Sequence, residues 1–297
     1  MLRIIAAGLR STVQDAGRAT HLRSAVPIAG AVDPIAFEAA QRLVGNTASD
    51  AAIEIVGLPF RFVLDEPRLV AVTGREVGLR ARGVVGGWTA VFARAGEEVT
   101  VTGTDRTRSA YLAVSGGITV DPVLGSRSTY LPAAIGPIPR ALVAGDALPV
   151  GAARAGADRA GRMLVPPATR EVRVLRGPHW DRLTGGSSLL GVPYRVSERS
   201  DRMGVRLEGP RLRRSEGELL SFGVCAGAIQ LPPGGEPIVL LADAQTTGGY
   251  PVVAVVAAAD IGAVAQAVPG ETLSFYEVDR RAAVEALRAV RRWLDAA

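Results

Sequence analysis

The sequence predicts a mainly β protein with few helices. Most periodic segments alternate apolar and polar residues over short runs, glycine and proline punctuate these runs, and helical periodicity occurs at two places only. Short strands separated by turn residues are typical of β-barrels and β-sandwiches. With 297 residues, 48% of them hydrophobic, the chain can fill one large core or two of ordinary size.

The elements follow from these patterns along the chain. Alternation predicts strands at 69–74, 88–93, 98–103, 109–114, 171–177, 203–209, 238–243 and 272–278. One helix is predicted to begin with Asp33 as its N-cap and Pro34 in its first turn, and to stop at Gly45. A second helix is predicted at the end of the chain, where an apolar stripe is formed by Val284, Leu287, Val290 and Leu294.

A short pattern recurs four times: a glycine, an acidic residue and a spacer, followed by a strand. The four glycines are Gly96, Gly145, Gly217 and Gly270. Their spacing indicates one β unit used twice, although a glycine and an acid before a strand is also common turn chemistry. Residues 151–170 are rich in Ala, Gly, Arg and Pro, as interdomain linkers are. We therefore predict a first domain at 1–155, a linker at 156–170 and a second domain at 171–297.

The composition excludes several kinds of chemistry. All 34 basic residues are arginine, so the chain has no lysine for a Schiff base or for the phosphate-binding loop of an ATPase. The two histidines, His21 and His179, lie far apart and have no neighbouring cysteines, so we predict no metal site. Any catalysis must therefore use carboxylates, amides, hydroxyls, arginines and backbone N–H groups.

Charge and targeting signals indicate the class of protein. The net charge of +5 is spread along the chain without a basic tract interleaved with aromatic residues, so we expect no nucleic-acid partner. We expect no membrane association, because no apolar run has the length of a membrane span and the N-terminus lacks a signal-peptide pattern. The single cysteine, Cys225, fits a reducing compartment, and we expect a cytoplasmic protein.

The best candidate site is the loop ADAQTTGGYP at 242–251, which comes directly after the apolar run 238–241. A glycine pair lets the backbone approach a ligand closely, and the polar residues offer both donors and acceptors. The candidate residues are Asp243, Gln245, Thr246, Thr247, Gly248, Gly249 and Tyr250. This set suits a small polar substrate with amide and carboxyl groups. The alternative is a tight turn in which Asp and Thr only cap backbone groups.

Three other segments add candidates. Ser200 and Arg202 come just before the strand predicted at 203–209, and arginine is the usual partner of a carboxylate or a phosphate. Gln230 precedes a Pro-Pro-Gly-Gly turn, and Gln14 lies in the segment STVQDAGR. Each segment also has a structural interpretation, as a cap or a surface ion pair.

Taken together, the ordered segments STVQDAGR, GAVDPIAFEAAQRLVGN, SERSDRMGVRLEGP, GAIQLPPGGEPIVLLADAQTTGGYP and AQAVPGETLSF resemble one family. It is the family of the 5-oxoprolinase C subunit, KipA and allophanate hydrolase subunit 2, which is also the carboxyltransferase segment of biotin-dependent urea carboxylases. The resemblance implies two tandem cyclophilin-like β-barrel domains. It also implies two protein partners, the KipI-like B subunit and the A subunit of 5-oxoprolinase. The chain departs from the family pattern at residues 19–26 and at Phe222.

The resemblance also implies a small amide substrate, either 5-oxoproline or urea. On this basis we expect Asp243 to act as a base or orienting acceptor at the amide N–H, and Asp243→Asn to stop turnover while leaving the fold intact. Gln245, Thr246 and Tyr250 would fix the substrate, and Arg202 would hold a carboxylate or a phosphorylated intermediate. No cofactor is expected on this chain: ATP would be handled by a partner subunit, and biotin, in the carboxylase case, would arrive on a separate carrier.

Three functions are compatible with the resemblance. The first is a subunit of an ATP-dependent 5-oxoprolinase complex that opens 5-oxoproline to L-glutamate. The second is the carboxyltransferase component of a biotin-dependent urea carboxylase and allophanate hydrolase system. The third is a KipA-type antagonist of a KipI-like histidine kinase inhibitor. The polar loop at 242–251 favours an enzyme subunit over an antagonist, which would not need it.

Overall fold

The computed structural model describes residues 1–166, 169–184, 189–217 and 219–296. The chain divides into two compact units. The first unit comprises Met1–Arg18, Ala29–Pro167 and Leu294–Ala297, and the second comprises Ala19–Ile28 and Ala168–Trp293.

The described residues of the first unit form eleven strands and one α-helix. The strands are β1 (Leu2–Ala7), β2 (Thr12–Gln14), β3 (Ala52–Ile55), β4 (Phe60–Leu64), β5 (Arg68–Gly74), β6 (Gly78–Arg80), β7 (Val84–Gly86), β8 (Thr89–Ala93), β9 (Val99–Thr102), β10 (Ala110–Val114) and β11 (Ala147–Leu148). They form one sheet in the order β11-β1-β4-β9-β6-β7 and another in the order β2-β3-β10-β5-β8. Buried side chains from both sheets form one core, including Ile4, Phe62, Val72 and Leu112.

Helix α1 (Pro34–Leu43) begins where the sequence predicts, since the Asp33 side chain accepts a hydrogen bond from the Ala36 N–H. Strands β5 and β10 are buried along almost their whole length, because α1 packs on their outer side. The Phe37 and Tyr111 rings meet edge to face there, at 6.1 Å between centroids. Burial raises the pKa of Tyr111 well above its ordinary value.

The second unit contains a closed barrel with the strand order β12-β21-β18-β19-β15-β14-β22. All neighbouring pairs are antiparallel except β12 and β22, which are parallel and close the barrel. The strands of this unit are β12 (Glu171–Arg176), β13 (Leu183–Thr184), β14 (Pro193–Val196), β15 (Gly204–Glu208), β16 (Arg213–Arg214), β17 (Phe222–Gly223), β18 (Ala228–Gln230), β19 (Ile238–Leu240), β20 (Thr247–Gly248), β21 (Val252–Val256) and β22 (Thr272–Glu277). Strands β13 and β16 form a separate pair, as do β17 and β20.

The remaining helices are short or peripheral. Helix α2 (Ile261–Ala265) is short. Helix α3 (Arg280–Asp295) belongs to the second unit up to Trp293 and to the first unit from Leu294. Of the predicted apolar stripe of α3, Leu294 is buried, whereas Val284 is exposed. The prediction of a mainly β fold with few helices is confirmed, and each predicted strand segment contains an observed strand. No helix in the described part of the chain is long and apolar enough to span a membrane.

The recurring glycine and acid form the same turn three times. Gly96, Gly145 and Gly270 have φ values of 70°, 94° and 88°, in the left-handed region that favours glycine. In each turn the acid accepts the N–H of the residue three positions before it; the pairs are Arg94–Glu97, Val143–Asp146 and Val268–Glu271. The acid of the fourth copy, Glu218, lies outside the described residues. Gly96 and Gly145 lie in the first unit and Gly270 in the second, and each of these turns comes directly before a strand.

Candidate functional site

The candidate loop is positioned by the register of two barrel strands. β15 and β19 are antiparallel, with Gly204 opposite Leu240, so the residues before β15 lie beside the residues after β19. Two backbone hydrogen bonds extend this pairing: Leu241 N donates to Met203 O and Asp243 N donates to Arg202 O, both at 3.0 Å. The strand predicted to reach residue 243 therefore ends at 240, and Asp243 is carried by a turn.

This register brings Arg202 and Asp243 together as a buried ion pair. Arg202 Nε donates to Asp243 Oδ2 and Nη2 donates to Oδ1, each at 2.9 Å. Both side chains are buried. From the sequence we expected separate tasks for the two residues, with Arg202 facing the substrate. In the structure two guanidinium N–H groups of Arg202 face Asp243, so the two residues act as one unit that fixes the start of the loop.

A second cluster contains two glutamine side chains and a glycine. Gln245 Nε2 donates to Gln230 Oε1 at 3.3 Å, and Gln230 is buried at the end of β18. Within the described residues, Gln230 Nε2 is a buried donor without a hydrogen-bond partner. A Cβ added at Gly248 would lie 2.8 Å from this nitrogen, so only glycine fits against the Gln230 amide at this position. A buried donor without a partner is a candidate to bind the oxygen of a ligand, because such groups in native proteins need an explanation.

The middle of the loop is held by a short strand pair. β20 pairs with β17, placing Phe222 opposite Gly248, and Val224 N donates to Thr246 O at 3.0 Å. The backbone of Thr246 and Thr247 is thus partly structural, with the Thr246 side chain half-buried and Thr247 exposed.

Phe222, one of the departures from the family pattern, packs against the His179 ring at 4.8 Å between centroids. His179 Nδ1 in turn accepts a hydrogen bond from Val252 N at 3.2 Å. An aromatic residue at 222 therefore joins the loop to β21 through His179, a connection that the sequence did not indicate.

Gly249 and Tyr250, at the end of the loop, line an open cleft of about 700 Å³. Tyr250 is 45% exposed, and its phenol can act as donor or acceptor. The same cleft is lined by the segment 214–217, where Arg214 and Glu216 supply opposite charges, and by Leu219 and Pro233. Arg214 was not predicted from the sequence; the signal that could have found it is its place just before the recurring glycine and acid.

Ser200 and Gln14, which were also predicted as site residues, have hydrogen-bond partners of their own. Ser200 Oγ accepts the Arg206 N–H at 3.0 Å and so closes the turn before β15. Gln14 belongs to the first unit, where its Nε2 donates to Thr12 Oγ1 and Thr129 O. Its Oε1 is buried without a partner within the described residues.

No three His, Cys, Asp or Glu side chains in the described ranges come together as a group that could hold a metal ion. The loop and its neighbours supply an ion pair, two amides and a phenol.

Comparison with known proteins identifies the family. Residues 24–277 match the carboxyltransferase domain, subdomain A and B. The chain belongs to this carboxyltransferase domain family.

Relatives in the family cover the chain from end to end. The 5-oxoprolinase C subunit of Escherichia coli K12 is 37% identical over 99% of this chain and 97% of its own length. The protein of the same name from Haemophilus influenzae is 34% identical with the same coverage. Urea amidolyase of Lachancea kluyveri is 28% identical over 93% of this chain, which corresponds to 17% of that protein.

Two solved structures are similar to this fold. The crystal structure of TTHA0988 matches with a TM-score of 0.83 and 32% identity, covering 93% of this chain and 55% of that one. The urea amidolyase of Kluyveromyces lactis matches with a TM-score of 0.88 and 26% identity, covering 99% of this chain and 20% of that one. In both solved structures the matching region is therefore part of a longer polypeptide.

Proposed function

We propose that this chain is one component of an ATP-dependent 5-oxoprolinase, which opens the lactam of 5-oxoproline to give L-glutamate and is active only with its partner subunits. The observation that carries the proposal is the buried Gln230 Nε2 donor, which has no hydrogen-bond partner within the described residues and packs against Gly248 of the candidate loop. A fixed N–H donor aimed at a carbonyl oxygen polarises an amide and stabilises the oxyanion that forms when it is attacked. The full-length similarity to two 5-oxoprolinase C subunits favours 5-oxoproline as the amide.

Each part of the loop has a task in this proposal. Gln230 accepts a hydrogen bond from Gln245, which holds its amide in place so that Nε2 points at the lactam oxygen. Asp243, fixed by Arg202, orients the loop and serves as an acceptor for the lactam N–H rather than as a solvent-exposed base. Tyr250 contacts the substrate from the open side of the cleft.

The carboxylate of 5-oxoproline requires a cation, and we compare two arginines as candidates to bind it. Arg202 already faces Asp243, whereas Arg214 lines the cleft with Tyr250. We therefore assign the carboxylate to Arg214 and not, as the sequence suggested, to Arg202. Its neighbour Arg213 is exposed and is not among the residues lining the cleft, so it provides a matched control.

We assign the ATP-dependent step to partner subunits. The chain has no lysine and no phosphate-binding loop, so we propose that a KipI-like B subunit and an A subunit complete the enzyme and carry the phosphorylating step.

The test is reconstitution of the chain with subunits of these two types, followed by measurement of ATP hydrolysis. We expect stimulation by 5-oxoproline and none by urea. We expect Arg214→Ala to raise the 5-oxoproline concentration needed by roughly ten- to a hundredfold, the effect of losing one charge-assisted contact, and Arg213→Ala to leave it unchanged. Stimulation by urea together with a biotinylated carrier would instead assign the chain to a urea carboxylase, the alternative favoured by its similarity to the urea amidolyase structure.

A further inference from the structure

The cleft beside Tyr250 contains a charge that the proposed function does not use. Arg214 and Glu216 are two positions apart in the chain, and both line this cleft. Within the described residues, these two side chains form no ion pair with each other or with a third residue. Glu277 of the same unit, by contrast, pairs with Arg176 at 2.8 Å. The cleft therefore offers a ligand two opposite charges, neither of which is satisfied by a described residue.

The backbone that carries these two charges is held by Arg182. Ser215 N donates to Arg182 O at 2.8 Å, and Arg182 Nη1 donates to Gly217 O at 3.1 Å. The residues on both sides of Glu216 are thus bound to one arginine. Arg214 lies in β16, which pairs with β13. The backbone positions of both charged residues are therefore fixed before a ligand arrives, which reduces the entropy lost on binding.

This arrangement of charges matches the head group of an α-amino acid. In its zwitterionic form the head group carries a carboxylate and an ammonium on the same carbon, so an arginine and a glutamate can each bind the group of opposite charge. A ligand with a carboxylate alone would also meet the like charge of Glu216, and a simple cation would meet that of Arg214. The cleft therefore favours a ligand that carries both charges.

We propose that Arg214 and Glu216 bind L-glutamate, the product of the reaction, and that Glu216 distinguishes this product from the substrate. The inference rests on the proposed function, in which 5-oxoproline is opened. In the net hydrolysis of the lactam, the water oxygen joins the carbonyl carbon, the C–N bond breaks, and both protons of the water go to the nitrogen.

This step changes the charge of one group near the cleft and leaves the other unchanged. The neutral lactam N–H becomes an ammonium, which can pair with Glu216, whereas the lactam cannot. The carboxylate on the neighbouring carbon is the same before and after ring opening, so Arg214 binds substrate and product alike. Glu216 therefore slows the release of L-glutamate and makes the complex sensitive to inhibition by its product.

The test compares Glu216→Gln with Glu198→Gln in the reconstituted complex. Glu198 is an exposed carboxylate of the same unit and is not among the residues lining the cleft. We expect Glu216→Gln to raise the inhibition constant of L-glutamate roughly tenfold, the effect of losing a hydrogen bond between charged groups. The KM for 5-oxoproline should stay unchanged, since the substrate has no ammonium. Arg214→Ala should weaken the binding of both ligands, and Glu198→Gln that of neither.

A second ligand separates recognition of the ammonium from a general effect on the cleft. Glutarate keeps both carboxylates of L-glutamate but has no ammonium, so Glu216→Gln should not weaken its binding. Calorimetry of L-glutamate and glutarate binding to the full chain measures this without turnover. Equal loss of both ligands in Glu216→Gln would give Glu216 a structural role and overturn the inference.

The remaining outcomes distinguish this inference from the proposed function. If the complex opens 5-oxoproline but L-glutamate inhibits the wild type and Glu216→Gln equally, the role of Glu216 is overturned and the proposed function stands. If L-glutamate binds and Glu216→Gln weakens this binding, but the complex does not open 5-oxoproline, the amino-acid site stands and the proposed function is overturned. Absence of L-glutamate binding to both the wild-type chain and the wild-type complex would overturn the site.

Discussion

Arg202 and Asp243, 41 positions apart in the chain, bind each other through two parallel hydrogen bonds of 2.9 Å and are both buried. Because Asp243 N also donates to Arg202 O, the pair joins the two loops at one end of β15 and β19 through both side chain and backbone. The carboxylate that the sequence suggested as a catalytic group is therefore also a structural one.

We predict that removing one partner of this pair destabilises the fold. Asp243→Asn or Arg202→Gln leaves one buried group without its counterpart, which typically costs about 3–5 kcal/mol. The double variant Arg202→Gln with Asp243→Asn should cost much less than the sum of the two single variants. Urea unfolding of the four proteins measures the coupling, and additive effects would contradict it. Loss of turnover in Asp243→Asn has to be interpreted together with this measurement, which corrects our expectation that the fold would be unaffected.

We predict that Gly248→Ala and Gly249→Ala differ sharply in activity. A Cβ at 248 would lie 2.8 Å from Gln230 Nε2 and displace this amide, whereas a Cβ at 249 would meet only Leu219 O, at an ordinary 3.6 Å. Because the displaced atom is the end of a flexible side chain, the stability of Gly248→Ala should change little. Activity of the reconstituted complex, measured beside urea unfolding, tests the pair. Equal activity of the two variants would remove Gln230 from the site.

We predict a stability contribution from Asp146 that depends on pH. Hydrogen bonds from Arg140, at 2.7 and 2.8 Å, lower the pKa of Asp146 below its ordinary value of 3.8, with a further contribution from the Val143 N–H. A lowered folded-state pKa means that the contribution is complete above 3.8 and is lost as the pH falls through the folded-state value.

The measurement is the difference in unfolding free energy between the wild type and Asp146→Asn as a function of pH. It should be constant from neutral pH to about 5 and decrease below the ordinary pKa of an aspartate. A difference that grew on acidification would contradict the assigned role of Arg140.

Short sequence patterns predicted the helices and strands well, because these elements arise from interactions between residues that are close together in the chain. Helix α1 starts at Asp33 since one side chain caps the Ala36 N–H, and the strands follow from alternation that any window of the sequence shows. The polar loop at 242–251 was predicted as a candidate site in the same way, from its residues alone. What the sequence could not show is pairing over long distances, such as that of β12 with β22.

The candidate site also depends on contacts between residues that are far apart in the chain. That Arg202 meets Asp243 depends on Gly204 lying opposite Leu240, a register fixed by the whole barrel and not by either loop. Arg214 was missed because its place in the cleft depends on the segment 214–217 facing Tyr250. For this reason our proposed partner of the substrate carboxylate is Arg214 and no longer Arg202.

The parallel pairing of β12 with β22 also dictates an order of events during synthesis. β12 is the first strand of its barrel to leave the ribosome and β22 is the last, so the ring stays open, with two unpaired edges, until residues 272–277 have emerged. All strands of the first unit lie before residue 149 and can pair long before that moment. A nascent chain therefore passes through a stage in which one half has completed its sheets while the other still waits for the strand that closes its ring.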